Sequence, residues 1–243
     1  MRFDSLPKLF NGQILVTDET RQRILLSAGP IFAERGFAQA TVRQVCDGAG
    51  VNHAALNYYF GSKEALYLEA INLAHTRLVQ QVPPPLWDDE TPPDEKLRRF
   101  ILTILHRMLG KEGLSWEMRL LMRETIEPTS AAKAMVDNFI RPQHEILLGI
   151  LRELSPATVE LSQLQKLAFS IIGQCLHYRS AGEFVALLVP PGDLEQSYDI
   201  DSLAEHITRF TLGGIALYHR PSESIRTLHP PARRTSSLKV NHS

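Results

Sequence analysis

Apolar residues recur every three or four positions along almost the whole chain, and the strict alternation of a half-buried strand is nearly absent. The spacing predicts helices over 18–35, 42–49, 53–59, 63–81, 94–110, 115–126, 131–153, 157–182 and 199–219. The fold class expected is therefore all-α: short helices first, then several long ones. Proline supplies the punctuation. Pro83, Pro84, Pro85, Pro92 and Pro93 crowd into one segment that cannot be helical and reads as a linker, and Pro190-Pro191-Gly192 marks a second break. From Pro221 to Ser243 no apolar period survives, and the segment reads as a disordered tail. The division predicted is an N-terminal extension at 1–17, a small helical domain at 18–63, a larger helical body at 64–220 and the tail at 221–243.

The first small domain carries the richest local code. Ile24, Leu25, Ala28, Ile31 and Phe32 form one helical stripe that stops at Arg35-Gly36, where glycine can take a left-handed C-terminal conformation. Pro30 falls inside that stripe, and its missing N–H predicts a kink. Thr41 with Gln44 three residues on forms a capping box that opens a helix burying Val42, Val45 and Cys46. Gly48-Ala49-Gly50 then makes a tight turn, Asn52 caps a short helix with Leu56 and Phe60 inward, and Ser62 opens the next. Two short helices joined through a glycine turn are a helix-turn-helix, in which the start of the second helix meets base edges. His53, Ala55, Asn57, Tyr58 and Tyr59 suit that task, with Ala54 beside them. Asn can pair twice with adenine, Ala can touch a thymine methyl, and tyrosine hydroxyls reach phosphates. Thr41, Arg43, Asn52 and Lys63 stand near helix starts, where phosphate binds well.

These residues carry a resemblance. The run Phe32-Ala33-Glu34-Arg35-Gly36-Phe37, Thr41-Val42, Ala49-Gly50-Val51, Leu56, Tyr59-Phe60 and Ser62-Lys63-Glu64, in that order, resembles the DNA-binding domain of the TetR/AcrR family of transcriptional regulators. Asn52 and Asn57-Tyr58, with Arg141-Pro142 and the stretch Ile171 to Cys175, are most similar to its CecR-type subgroup. The chain departs from the usual family residues at Asn52, Ala54 and Asn57, where Ser, Gly and Tyr are common, so the operator sequence of better-known members does not transfer.

The body beyond residue 63 holds more helix than a DNA-binding module needs, and helix 63–81 begins in one domain and runs into the other. Apolar stripes on the last two helices are wide: Leu164, Ala168, Ile171 and Cys175 with Leu167 and Ile172 in the first, Leu203, Ile207, Phe210, Ile215 and Tyr218 in the second. Each is expected to pack inward and also sideways, giving a homodimer through helices 157–182 and 199–219, with Gly173, Gly213 and Gly214 allowing close approach. The resemblance implies the same arrangement. A small-molecule effector site is expected among Phe100, Trp116, Met122, Met135, Phe139, His144, His177 and Tyr178, although aromatic and Met residues at helical spacing commonly serve as plain core. Cys175 and His177 are two apart and so face opposite sides of a helix, which makes no chelate.

Charge and composition then narrow the classes. The formal net charge is only -1. Residues 1–63 hold seven Lys and Arg against five Asp and Glu, leaving the remainder with an acidic excess, as suits a DNA-facing end on a body that DNA repels. Two cysteines make no disulfide framework and read as small buried residues. No signal-peptide core and no membrane-length apolar run is present in the sequence, so the expected location is the cytoplasm. No Gly-rich phosphate loop, His-Glu-x-x-His, Gly-x-Ser-x-Gly or paired-cysteine spacing occurs, so no enzyme, cofactor or metal is expected. Taken with the resemblance, the expectation is a repressor that binds a palindromic double-stranded DNA operator as a dimer and is released by a small molecule. The alternative is a DNA-binding structural or partner-recruiting protein with no ligand; a large apolar pocket with a few polar groups in the body discriminates for the sensor.

Overall fold

The computed structural model describes residues 19–110 and 115–219, so the expected N-terminal extension and C-terminal tail lie outside the described residues. Within them the chain is helical, in the order α1 (Glu19–Gln39), α2 (Val42–Ala49), α3 (His53–Phe60), α4 (Lys63–Gln81), α5 (Pro93–Leu109), α6 (Trp116–Ile126), α7 (Ala132–Met135), a π-helical turn (Val136–Ile140), α8 (Arg141–Leu154), α9 (Leu161–Ser180), α10 (Gly182–Leu188), α11 (Pro191–Ser197) and α12 (Ile200–Tyr218). The proline-rich stretch between α4 and α5 is non-helical, as expected, except that Pro93 opens α5, where its missing N–H costs no helical bond, and the Val82 and Leu86 carbonyls accept bonds from Arg107 and Arg99 of α5.

Two apolar cores organise these helices. The first joins Ile24, Ala28 and Phe32 of α1, Val45 of α2, Leu56 of α3 and Leu66, Tyr67 and Ile71 of α4 with Leu120 of α6 and Met135 of α7. The second joins Leu97, Ile101 and Leu105 of α5 to Leu147 and Leu151 of α8, Leu164, Ala168, Ile171 and Cys175 of α9 and Leu203 and Ile207 of α12. The small N-terminal domain therefore completes its core on α4, α6 and α7, as a short chain with little interior of its own must. Both cysteines are buried, and burial pushes the Cys175 thiol up to about 12 and the Cys46 thiol above its ordinary value, with the Asp47 charge adding to the second.

Three local expectations need correction. The kink in α1 is at Gly36 (φ 74, ψ 170), while Pro30 keeps helical backbone angles. Leu26, whose carbonyl the proline releases, is itself exposed, so the lost bond can be replaced by water. Gly36 takes the positive φ expected of it, and where a Cβ would stand Arg123 of α6 approaches: its Nε and Nη2 donate to the carbonyls of Ala33 (3.4 Å) and Glu34 (3.1 Å). The single helix predicted over 131–153 is interrupted by the π-helical turn. Pro142 explains it, since its ring cannot accept the carbonyl of Asn138 four residues back and the wider turn makes room. Finally, the helix predicted over 157–182 ends at Ser180, and two short helices with no buried residues, α10 and α11, fill the interval to α12.

Candidate nucleic-acid interface and ligand cavity

The helix-turn-helix forms as its local code requires. Thr41 Oγ1 accepts from Gln44 N (3.3 Å) while Gln44 Oε1 accepts from Thr41 N (2.9 Å), closing the capping box of α2. Gly50, at φ 63 and ψ 41, turns the chain, and Val51 N donates back to the Cys46 carbonyl at 3.0 Å. Asn52 Oδ1 accepts from Ala55 N at 2.9 Å and so fixes the start of α3. Two side chains of α1 brace α2 from behind: Arg23 donates to the Ala49 carbonyl (3.0 Å) and Ser27 to that of Val45 (3.0 Å).

Leu56 and Phe60 anchor α3 in the core, which turns His53, Ala54, Asn57 and Tyr58 to the surface, with Ala55 and Tyr59 half-buried at its margin. Tyr58 is 82% exposed, which leaves its ring and hydroxyl free to meet a partner. Its ring meets that of Tyr59 edge-on at 5.0 Å, and Asn57 Nδ2 lies 3.1 Å from His53 Nδ1, so the polar groups of the face are held in a common orientation. Arg43 is exposed and only loosely paired with Asp47 at 3.8 Å. Lys63 is more engaged: its Nζ lies over the Phe37 ring (4.6 Å) and donates to the Ala38 carbonyl (3.4 Å), which places the ammonium beside the loop that leads into α2.

A cavity of about 250 Å³ lies in the body between α4, α5, α6, the π-helical turn, α8 and α9. Its wall is almost wholly apolar, and Met108, Met118, Met122 and Met135, four of the chain's five methionines, contribute to it. Of the expected pocket residues Phe100, Met122, Met135, Phe139 and His144 line it. Trp116, His177 and Tyr178 do not. Trp116 instead packs across Gly29 of α1, with Arg77 over its ring at 5.9 Å, and Tyr178 faces Tyr198 edge-on at 6.4 Å with His177 beside it. The periodicity placed all eight on helices; the rotation of each helix about its axis, which tertiary packing decides, selected among them.

Sequence reasoning missed the polar groups of the cavity. His75 of α4 stacks on Phe139 (3.8 Å between ring centres), and burial, with Arg107 nearby, pulls its pKa down to about 4, so the ring is neutral. Arg107 Nε donates to the Val82 carbonyl (2.9 Å) and Nη1 to Gln143 Oε1 (3.1 Å), while Nη2 is buried with no partner among the described residues. The signal was present: Phe100, Ile104, Arg107 and Met108 lie on one helical stripe, and an arginine on an otherwise apolar stripe marks a charge turned inward.

Helix α6 touches both sites. Met118, Leu121, Met122 and Thr125 line the cavity, while Leu120, Arg123 and Glu124 turn to α1 and α4. Tyr67 Oη of α4 donates to Glu124 Oε2 at 2.8 Å, and Thr129 N and Oγ1 satisfy Glu124 Oε1 at 2.8 and 3.0 Å. Burial and the adjoining carboxylate push the Tyr67 phenol well up, so it stays a donor. Arg77 Nε meets the buried Glu117 at 3.0 Å on the same face.

Both halves of the chain match known families. Residues 24–70 match the family described as bacterial regulatory proteins, tetR family, and residues 93–215 match the C-terminal domain of the HTH-type transcriptional dual regulator CecR. The chain belongs to the TetR family, in its CecR branch. It is 26% identical over 179 residues to the dual regulator CecR of Shigella flexneri, an alignment spanning 70% of this chain and 80% of the relative. A shorter match, 35% identical over 71 residues, covers 29% of this chain and 32% of the transcriptional activator FasR of Mycolicibacterium smegmatis. Among solved structures, a TetR-family regulatory protein from Rhodococcus RHA1 superposes with a TM-score of 0.59 at 13% identity, covering 82% of this chain and 98% of that one, a likeness of fold. As a TetR-family member this chain is a DNA-binding transcriptional regulator and not an enzyme. Among the described residues no helix is long and apolar enough to cross a membrane.

Proposed function

We propose that this TetR-family chain acts in the cytoplasm as a ligand-responsive repressor, binding a palindromic operator as a dimer and leaving it when a small molecule fills the body cavity. The observation that carries the sensor reading is the cavity itself: an apolar chamber with a few convergent polar groups, bounded by the helix whose opposite face holds the DNA-binding domain. A fully packed body would have favoured the ligand-free alternative. At about 250 Å³ the chamber falls just below the ~300–1,000 Å³ typical of sites for drug-sized ligands, which suits a small effector.

In this reading α3 enters the major groove with Asn57 as base reader, supported by Ala55, His53 and Tyr58, while Thr41, Arg43, Asn52, Tyr59 and Lys63 face the phosphates. Dimerisation uses the outward faces of α9 and α12. Phe210 is 64% exposed there, Leu161 and Leu217 are also bare, and nothing lies within 4 Å of a Cβ built on Gly173, Gly213 or Gly214. Two recognition helices must stand ~34–36 Å apart to enter successive major grooves. A ligand that moves α6 shifts Arg123 and Glu124, and with them α1 and α4. A coupling of ~1–3 kcal/mol between the sites changes operator affinity ~5–150-fold.

The test is to select bound fragments of the source genome, footprint the selected site, and titrate small molecules against the complex. A two-fold symmetric footprint with half-sites one helical turn apart and release by an effector are expected. A single protected half-site, or monomers in sedimentation at micromolar concentration, would contradict the dimer; transcription that rises with added protein would contradict repression.

A further inference from the structure

Resting on the reading of the cavity as an effector site, we propose that its ligand is an amphiphilic monoanion, a compact apolar body bearing one terminal carboxylate, and that Arg107 is the residue that takes the carboxylate. Among the described residues the walls of the chamber carry one guanidinium, from Arg107, and two imidazoles, His75 and His144, and no Asp or Glu side chain lines it. Arg107 has no acidic partner among the described residues. Its Nε and Nη1 are spent on two neutral oxygens, the Val82 carbonyl at 2.9 Å and Gln143 Oε1 at 3.1 Å, and Nη2 is buried and unbonded.

A guanidinium cannot shed its proton to escape burial, so a charge of this kind is ordinarily paired. Its place in the last turn of α5 brings some relief from the negative end of the helix, but a helix end supplies only a fraction of a charge. What is missing is one full negative charge with an oxygen to accept from Nη2, and the chamber beside it is otherwise lined by Phe100, Ile104, Met122 and Phe139. A neutral ligand would leave the guanidinium as it is, and a cation would be repelled. A phosphate dianion would bring more oxygens than one free nitrogen can meet. His75 adds selectivity of the same sign: its ring is neutral, and its Nε2 is buried without a partner among the described residues, so in the tautomer that carries the proton there it is a second donor for a carboxylate. The methionines that make up much of the remaining wall adapt to the shape of the apolar body without specifying it.

Calorimetric titration of the full chain with octanoate, octanamide and octylammonium tests the assignment at constant chain length. Octanoate is expected to bind about tenfold more tightly than octanamide, the margin of a charge-assisted bond, and octylammonium not at all. In Arg107→Gln the preference for octanoate should vanish while octanamide affinity persists, and Arg107→Lys should restore part of it. Octanamide binding the native chain as tightly as octanoate would overturn the anion assignment and leave the sensor reading standing. Should none of the three bind, both fall. If Arg107→Gln does not fold, the comparison in the native chain decides alone, since it needs no variant.

Discussion

Removing a single oxygen atom from Tyr67 measures how firmly α4, on which the DNA-binding domain packs, is tied to α6. In Tyr67→Phe the ring keeps its edge-on contact with Phe32 (4.9 Å) and its tilted contact with Phe37 (5.1 Å), while the 2.8 Å bond to Glu124 disappears. A hydrogen bond to a charged partner contributes ~1.5–3 kcal/mol. Glu124 is 1% exposed and cannot turn to water, yet it keeps both donors of Thr129, so the loss belongs at the lower end, about 1.5–2 kcal/mol. For a chain of this size that lowers the thermal midpoint by about 3–8 °C. Urea unfolding followed by circular dichroism gives the free energy directly, and the cycle with Glu124→Gln should return a coupling of about 1 kcal/mol. A loss under about 0.5 kcal/mol, or strictly additive variants, would show that the pair is not the tie described and would remove α6–α4 hydrogen bonding from the transmission path.

Other variants probe neighbouring features. Gly29→Ala puts a Cβ 2.2 Å from Trp116 Cζ3, and the overpacking should cost ~1–3 kcal/mol in urea unfolding despite the better helix propensity of alanine; unchanged stability would refute the α1–α6 contact. His75 is neutral in the folded chain down to about pH 4, whereas the unfolded chain takes up the proton near pH 6.5. Its contribution is therefore whole above pH 6.5 and is lost as pH falls toward 4, about 3 kcal/mol in all, and His75→Phe should remove that slope from the difference between stability curves. Asn57→Ala should erase ~1–3 kcal/mol of discrimination at one operator position with no change in salt dependence, read by fluorescence anisotropy across operator variants. Lys63→Ala should instead weaken all sequences alike and reduce the salt slope by ~1; a sequence-selective loss would contradict its phosphate role.

What could be read in advance was whatever a few neighbouring residues settle among themselves. The capping box of Thr41 and Gln44, the left-handed turn at Gly50 and the cap at Asn52 depend on nothing further than three or four positions away, and they formed as expected. Pro30 misled because the cost of a missing N–H depends on what the released carbonyl finds, and Leu26 is exposed. The clash of Pro142 with the preceding turn is as local as any, but a continuous apolar stripe over 131–153 conceals it, and the π-helical turn that relieves it brings Phe139 and Ile140 to the cavity. That Trp116 packs against α1 and not in the cavity follows from the approach of Gly29, which its spacing on α6 does not reveal. Arg107 and His75 required knowing that α4, α5 and α8 converge, which no window of the sequence contains.

The clustering of methionine has a practical consequence. With isotope placed only on the methyl carbons of methionine, the whole protein carries five labels, and Met108, Met118, Met122 and Met135 surround the same chamber. A proton–carbon spectrum of the intact protein would thus be very nearly a spectrum of the chamber alone, in which the entry of any small molecule and the accompanying change in side-chain rotamers could be followed through four resonances with little else in view.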